Sequence, residues 1–259
     1  MNFGVQTFTV RKLQKKDMRR AYLGLTRLGV SSLEVARIDF NPKNASKLQA
    51  LSSELGINVV SVQVKPKHVF GCPERIIEFC KAVGCKNVVI SMLPFGCILG
   101  SEKRFYEFVD SLDKMAGVYQ KSGITLAYHH HNWEYVRLSS GKTRMQELLS
   151  RTEKIMFVHD TYWTARCAVL PSDQIKELGK RLLGIHLRDL SFKKKGLRVE
   201  AVDTAVGDGV IDFSAVLLAA ESVGCSYYVI EQKTDKPYRD IEKSKVYLEK
   251  ISKAFENKE

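Results

Sequence analysis

The chain has 259 residues, 44% of them hydrophobic, and carries a formal net charge of +12. That length suits one large domain with a full core, and that composition excludes extended disorder. No window approaches the roughly 20 apolar residues that a membrane span needs, so no membrane partner is expected.

The opening MNFGVQTFTVRKLQ lacks a basic segment followed by an apolar stretch, so it reads as no secretion signal, and a cytoplasmic protein is expected. The six cysteines, Cys72, Cys80, Cys85, Cys97, Cys167 and Cys225, form no C-x-x-C pair and no zinc-finger spacing with histidine. They read as small thiols in a reducing compartment. The positive charge invites a nucleic-acid reading. It is spread along the chain, however, with its densest runs at Arg11–Arg20 and Lys193–Lys195, and such runs usually form solvated faces. No specific nucleic-acid partner is expected.

In chain order, strands are predicted over Phe3–Phe8, Ser32–Ala36, Asn58–Val64, Asn87–Ser91, Thr125–His129, Ile155–His159, Leu182–Leu187 and Tyr227–Glu231. Runs such as NVVSVQV, NVVIS and YYVIE are almost continuously apolar, as parallel strands covered on both faces are. Helical periodicity fills the gaps: Phe105, Phe108, Val109, Leu112, Met115 and Tyr119 share one face. So do Phe213, Val216, Leu217, Ala220 and Val223, and then Ile241, Ser244, Leu248, Ile251 and Phe255. A glycine precedes the return to a strand at Gly29, Gly56, Gly84, Gly123 and Gly224, where a helix terminator belongs. Eight strands alternating with helices predict a single (β/α)8 barrel domain of the α/β class over residues 1–259. An open doubly wound sheet is the alternative. It is disfavoured because QTFTVRKLQ, after the first strand, holds no G-x-G-x-x-G. Ser191–Val206, the longest stretch without periodicity, is expected to be a loop on the catalytic rim after the seventh strand.

Barrel chemistry sits at the C-terminal ends of the strands. The fifth strand here runs into His129, His130, His131 and then Glu134. The sixth ends in His159 and Asp160, the seventh in His186, Arg188 and Asp189, and the eighth in Glu231. Residues i and i+2 of a strand point the same way, so His129 pairs with His131 and His186 with Arg188, whereas His159 faces away from Asp160 and reads as structural. Imidazoles and carboxylates converging from neighbouring strands suit one divalent ion: Mn²⁺, Co²⁺, Zn²⁺ or Mg²⁺.

The strings HDTYW and IHLRD, and the closing VGDGVIDFSAVLLAAESVGCSYYVIEQ, resemble the sixth-, seventh- and eighth-strand motifs of the sugar phosphate isomerase/epimerase superfamily, the xylose isomerase-like TIM barrels. The opening GVQTFTVR matches as well, and the resemblance covers essentially the whole chain. It implies a metal-dependent isomerase or epimerase of carbohydrate metabolism acting on a small sugar or sugar derivative. Carried over by position, the ligands fall on Asp160, His186 and Glu231, and the family's fifth-strand Glu falls on His129. That departure removes one negative charge and makes the site softer, which favours Zn²⁺ or Co²⁺. It also removes one of the two carboxylates that relay a proton, a role left to Glu134 or His131. AYHHHNWEY is also similar to the His-rich strand of inosose dehydratases.

The resemblance implies enediolate chemistry, with Glu231 as the base, His129, Asp160, His186 and Glu231 holding the ion, and His131, Trp163 and Arg188 lining the sugar site. Lys65, after the third strand, is a further candidate for a hydroxyl or phosphate contact. A metal-dependent lyase or dehydratase on a keto-sugar or inosose shares the first proton transfer. An apurinic-site endonuclease of the same superfamily needs three zincs, and SMLPF and VQVKP lack the acids and histidines for more. A non-catalytic barrel is the remaining alternative. Substrate, metal and any homo-oligomer are left open.

Overall fold

A computed structural model describes residues 1–256. The strands are β1 (Phe3–Gln6), β2 (Ser32–Val35), β3 (Asn58–Val64), β4 (Asn87–Ile90), β5 (Thr125–His129), β6 (Met156–Asp160), β7 (Leu182–Leu187), β8 (Asp189–Lys195), β9 (Arg198–Thr204) and β10 (Tyr227–Ile230). Eight of them close into a parallel barrel in the order β1-β10-β7-β6-β5-β4-β3-β2, while β8 and β9 pair with each other alone. Each barrel strand starts and stops within one or two residues of its predicted span. Gly29, Gly56, Gly84, Gly123 and Gly224 all adopt the left-handed backbone expected where a helix turns into the next strand.

Alternation along each strand builds two apolar layers. Leu126 and Tyr128 of β5, Phe157 of β6 and Ile230 of β10 point outward and join the large core between barrel and helices. The predicted helix faces meet them there, with Phe105, Phe108, Val109, Leu112 and Tyr119 of the helix Glu102–Gln120 all buried. Fully burying one such side chain contributes about 1.5–3 kcal/mol. Inside the barrel a smaller plug of Val89, Ala127, Val158, Leu183, Tyr227 and Val229 fills the lumen. Above that plug, the same alternation aims the next inward residues of β5, β6, β7 and β10 into the open C-terminal end.

Gly184 shows how tightly this interior is fitted: a Cβ there would lie 2.3 Å from Cζ of Tyr227. The missing side chain on β7 is what lets the Tyr227 ring lie across the lumen.

The segment Ser191–Val206 is not the irregular loop expected from sequence. It is most of an antiparallel hairpin, β8–β9, paired from Asp189↔Thr204 to Lys195↔Arg198 around Gly196, whose φ is +61°. Lys193–Lys195 and Leu197–Glu200 are exposed, so the outer part of the hairpin buries neither face, and it lacks the apolar alternation that marks a strand. The joint beyond it is held by one carboxylate. Asp189 accepts hydrogen bonds from the backbone N–H of Leu190, Gly207, Gly209 and Ile211. A Cβ at Gly209 would sit 2.2 Å from Asp189 Oδ1, so the G-D-G-V-I-D string serves to wrap backbone around this side chain.

All six cysteines are free, with Cys80, Cys85 and Cys97 buried. Among the described residues, no helix is long and apolar enough to cross a membrane.

Candidate metal centre

His129 ends β5, Asp160 ends β6, His186 is the fifth residue of β7, and Glu231 follows β10. Register staggers them around the barrel: His129 pairs with Val158, two residues before Asp160; Asp160 pairs with His186; and His186 pairs with Val229, two residues before Glu231. One donor atom from each of the four lies within 4.8 Å of every other, and all four residues are buried. Among the described residues this is the one His/Cys/Asp/Glu group so arranged. His129 Nε2 stands 3.5 Å from Asp160 Oδ2, and His186 Nδ1 stands 2.8 Å from Glu231 Oε2.

These same four atoms, His129 Nε2, Asp160 Oδ2, His186 Nδ1 and Glu231 Oε2, are buried and find no hydrogen-bond partner beyond one another. A buried polar atom left unpaired costs about 1–3 kcal/mol, more if charged. Four that converge on one point fit a cation, and two imidazoles with two carboxylates form a borderline-soft set suited to Zn²⁺, Co²⁺ or Mn²⁺.

In three of the four groups the other atom is tied down. His129 Nδ1 faces the Ser91 carbonyl at 3.4 Å, which leaves Nε2 as the free nitrogen. Asp160 Oδ1 accepts the Trp163 N–H at 3.0 Å, capping the short helix Thr161–Arg166 and turning Oδ2 inward. His186 Nε2 lies 2.7 Å from Glu34 Oε1. Burial works to lower the His186 pKa, but Glu34 and Glu231 outweigh it and raise it to about 10. In the metal-free protein this imidazole is therefore a cation held between two carboxylates. Burial works to raise the Glu231 carboxyl, yet His186 and Arg188 bring it down to about 2, so the group is ionised.

Arg188 borders the centre. Its Nη1 is 3.8 Å from Asp160 Oδ2 and 3.6 Å from Glu231 Oε1. Its Nε donates to Asp203 Oδ2 at 2.7 Å, and the guanidinium lies over Tyr162 and Trp163 at 4.5 and 5.3 Å from their ring centroids. His131 packs against His129 and Trp163, with ring centroids 4.8 and 5.2 Å away. His131 Nδ1 and Trp163 Nε1 are also buried without partners, which leaves two polar handles beside the four donors.

Two candidates fall elsewhere. Glu134 is buried on the outer side of β5, where its carboxylate accepts from the Tyr128 hydroxyl and from the His131 N–H at 2.8 Å. Both oxygens are committed, so the structure does not bring Glu134 to the cluster. Tyr128 is an outward residue of β5, and the tight turn Asn132–Tyr135 folds Glu134 back beneath it. Lys65 follows β3 with its side chain exposed, and it has no side-chain partner among the described residues. His159 points outward, as alternation requires, and meets His130 at 3.3 Å.

Sequence reasoning missed Glu34, Asp203 and Tyr227. Glu34 left a trace, as the one acid inside the apolar strand SLEVA, where a charged side chain must find a buried partner. Asp203 left none, since it reaches Arg188 only through the unforeseen hairpin.

Comparison with known proteins agrees with the barrel fold. The family model described as "Xylose isomerase-like TIM barrel" matches residues 25–252. An inosose dehydratase from Geobacillus thermodenitrificans is 24% identical over 167 residues. The match covers 57% of this chain and 55% of that protein, so the chain spans little more than half the length of this curated relative. A sugar phosphate isomerase/epimerase from Parabacteroides distasonis superposes with a TM-score of 0.79 at 19% identity, covering 95% of this chain and 92% of that one. The IolI protein, described with a binding zinc atom, superposes with a TM-score of 0.70 at 16% identity, over 97% and 96% of the two chains. At these identities the structural likeness speaks to the fold.

Proposed function

Because the chain belongs to the xylose isomerase-like TIM barrel family, we propose that it is a metal-dependent enzyme that moves a proton next to the carbonyl of a small sugar-like substrate, as an isomerase or epimerase. The observation that carries this reading is the convergence of four unpartnered, buried donor atoms at the C-terminal end of the barrel. His129, Asp160, His186 and Glu231 would hold one divalent ion, which supplies Lewis-acid polarisation of a carbonyl when bound.

The remaining work falls to side chains. Glu231 is ionised and keeps Oε1 on the Arg188 side, so it is the group placed to take and return the proton. Arg188, braced by Asp203, puts a fixed positive charge beside Glu231, where it steadies oxyanion character in the substrate. His131 Nδ1 and Trp163 Nε1 are free to bind substrate hydroxyls. The Trp163 indole and the Tyr162 ring, packed together, offer an apolar wall.

A second reading, elimination of water from a keto-sugar or inosose, is supported by the similarity to an inosose dehydratase and by His129. Epimerisation needs proton transfer on two faces, and the fifth strand offers an imidazole where a second carboxylate would serve; in elimination one carboxylate can take the proton next to the carbonyl and then hand it to the departing hydroxyl, which leaves as water. The test is solvent exchange. The metal-loaded enzyme is incubated in D₂O with keto-sugars and an inosose, and deuterium is followed at the carbon next to the carbonyl. Exchange with isomeric product supports the isomerase, exchange with loss of water supports the dehydratase, and no exchange with any member of the panel counts against both. Abasic-site DNA should remain intact in the same preparation; cleavage would replace the sugar reading with a repair enzyme.

A further inference from the structure

We infer that Glu34, on β2, is the positioning residue that fixes which nitrogen of His186 faces the metal centre; this rests on the metal reading above. The two residues are 152 apart in sequence, and they meet because closure of the barrel brings β2 across the lumen from β7. Both are fully buried. Glu34 Oε1 takes the Nε2 side of the imidazole at 2.7 Å, so a neutral His186 keeps its proton on Nε2 and turns the Nδ1 lone pair toward His129, Asp160 and Glu231. Glu34 is outside the converging group, on the opposite side of the ring from the donor atom, which sets it apart from a ligand.

The carboxylate is itself clamped. Its Oε2 accepts from Ser61 Oγ at 2.6 Å and from the Tyr227 hydroxyl at 3.0 Å. Tyr227 can reach it only because Gly184 leaves room for the ring, and Gly184 lies two residues before His186 on the same inward face of β7. Side chains from β2, β3 and β10 thus fix one imidazole on β7. An outer carboxylate on a ligating histidine orients the ring and raises its basicity, and losing such a partner typically costs about 10–100-fold in metal affinity. The other histidine has a weaker arrangement, with His129 Nδ1 facing a neutral carbonyl at 3.4 Å.

The experiment is a Zn²⁺ titration against a chromophoric chelator, together with the visible absorption spectrum of the Co²⁺-loaded protein, on wild type, Glu34→Gln, Glu34→Asp, Ser61→Ala and Tyr227→Phe. Near-UV circular dichroism checks the fold of each. Wild type is expected to bind one equivalent. Glu34→Gln should bind about 10–100-fold more weakly with an altered Co²⁺ spectrum. Glu34→Asp should recover part of the affinity, and Ser61→Ala and Tyr227→Phe should each weaken binding by a few-fold. Glu134→Gln, a buried carboxylate on the other side of the strand, should leave affinity and spectrum unchanged. If wild type binds and Glu34→Gln binds equally well with the same spectrum, the positioning role is wrong while the metal centre stands. If wild type binds no ion, the proposed function fails with it. Should Glu34→Gln not fold, Ser61→Ala and Tyr227→Phe decide, and unchanged affinity in both overturns the inference.

Discussion

The strands β5 and β6, with the turn that follows β5, place histidine and carboxylate on both sides of the barrel wall, and the two sides behave in opposite ways. Outside the barrel, His130 Nε2 accepts the Asp160 N–H at 3.0 Å and meets His159 Nδ1 at 3.3 Å. His159 Nε2 faces the Thr164 hydroxyl at 3.5 Å, which in turn meets Tyr135, and Glu134 is closed off by Tyr128 and the His131 N–H. Inside, a few ångströms away through the same backbone, His129 and Asp160 each present a buried atom with nothing bound to it. Residue type is shared between the faces. What separates a site from a structural network is whether the hydrogen-bonding capacity has been used up.

The largest effect should come from removing an inner ligand. Asp160→Ala is expected to weaken metal binding by more than the roughly 100-fold upper range for an outer partner, and to abolish turnover. His159→Gln, one residue away, should retain metal affinity and lose about 1–3 kcal/mol of stability, because buried partners are left unpaired. Chelator competition and denaturant unfolding on both variants test the contrast. Equal loss of metal by both would erase it.

Next comes Glu231→Gln, which keeps the side-chain size and removes the base. With metal loading restored, solvent exchange should fall about 10²–10⁴-fold. Exchange at the wild-type rate would move the base to another group near the centre, with His131 the nearest by geometry.

Why the inner face was legible and the outer was not follows from these residues. The unbroken apolar runs gave the strands, whose C-terminal ends carry these polar residues; alternation with a period of two set His129 beside His131 and His186 beside Arg188, and the family resemblance carried the ligand roles onto His129, Asp160, His186 and Glu231. The same rule turned His159 outward. It was silent on Glu134, which lies beyond the strand in a turn whose path only packing decides. Glu34 was hidden differently. Its own strand was evident, but the partner that makes a buried carboxylate tolerable lies 152 residues away and appears only on closure. Asp203 depended on a hairpin whose exposed outer part carries no apolar alternation.

Acid should act on the outer network through a smaller effect. Burial, with His129 adding to it, pushes the His130 pKa down to about 3, and burial and His130 hold that of His159 well below its usual 6.5. The unfolded chain therefore binds these protons more readily than the folded one below about pH 6.5. Stability from this network is complete above 6.5 and declines as pH falls. Each histidine contributes about 1.4 kcal/mol per pH unit. Asp203, whose carboxyl burial pushes up to about 6, works in the opposite direction below that pH, while His131, held well below 6.5 chiefly by burial, adds to the two outer histidines, so stability still declines as pH falls. Urea unfolding of the metal-free protein at pH 7, 6 and 5 measures it, and a flat profile would contradict the neutral outer pair.

The most direct measurement of the central claim is anomalous scattering from crystals grown with Zn²⁺ or Co²⁺ and recorded at the metal's absorption edge. The account predicts one strong peak inside the barrel mouth, about 2.0–2.3 Å from His129 Nε2, Asp160 Oδ2, His186 Nδ1 and Glu231 Oε2, with Glu34 on the far nitrogen of His186. A protein saturated with metal whose peak lies away from these four atoms, or that shows no peak at all, would contradict it.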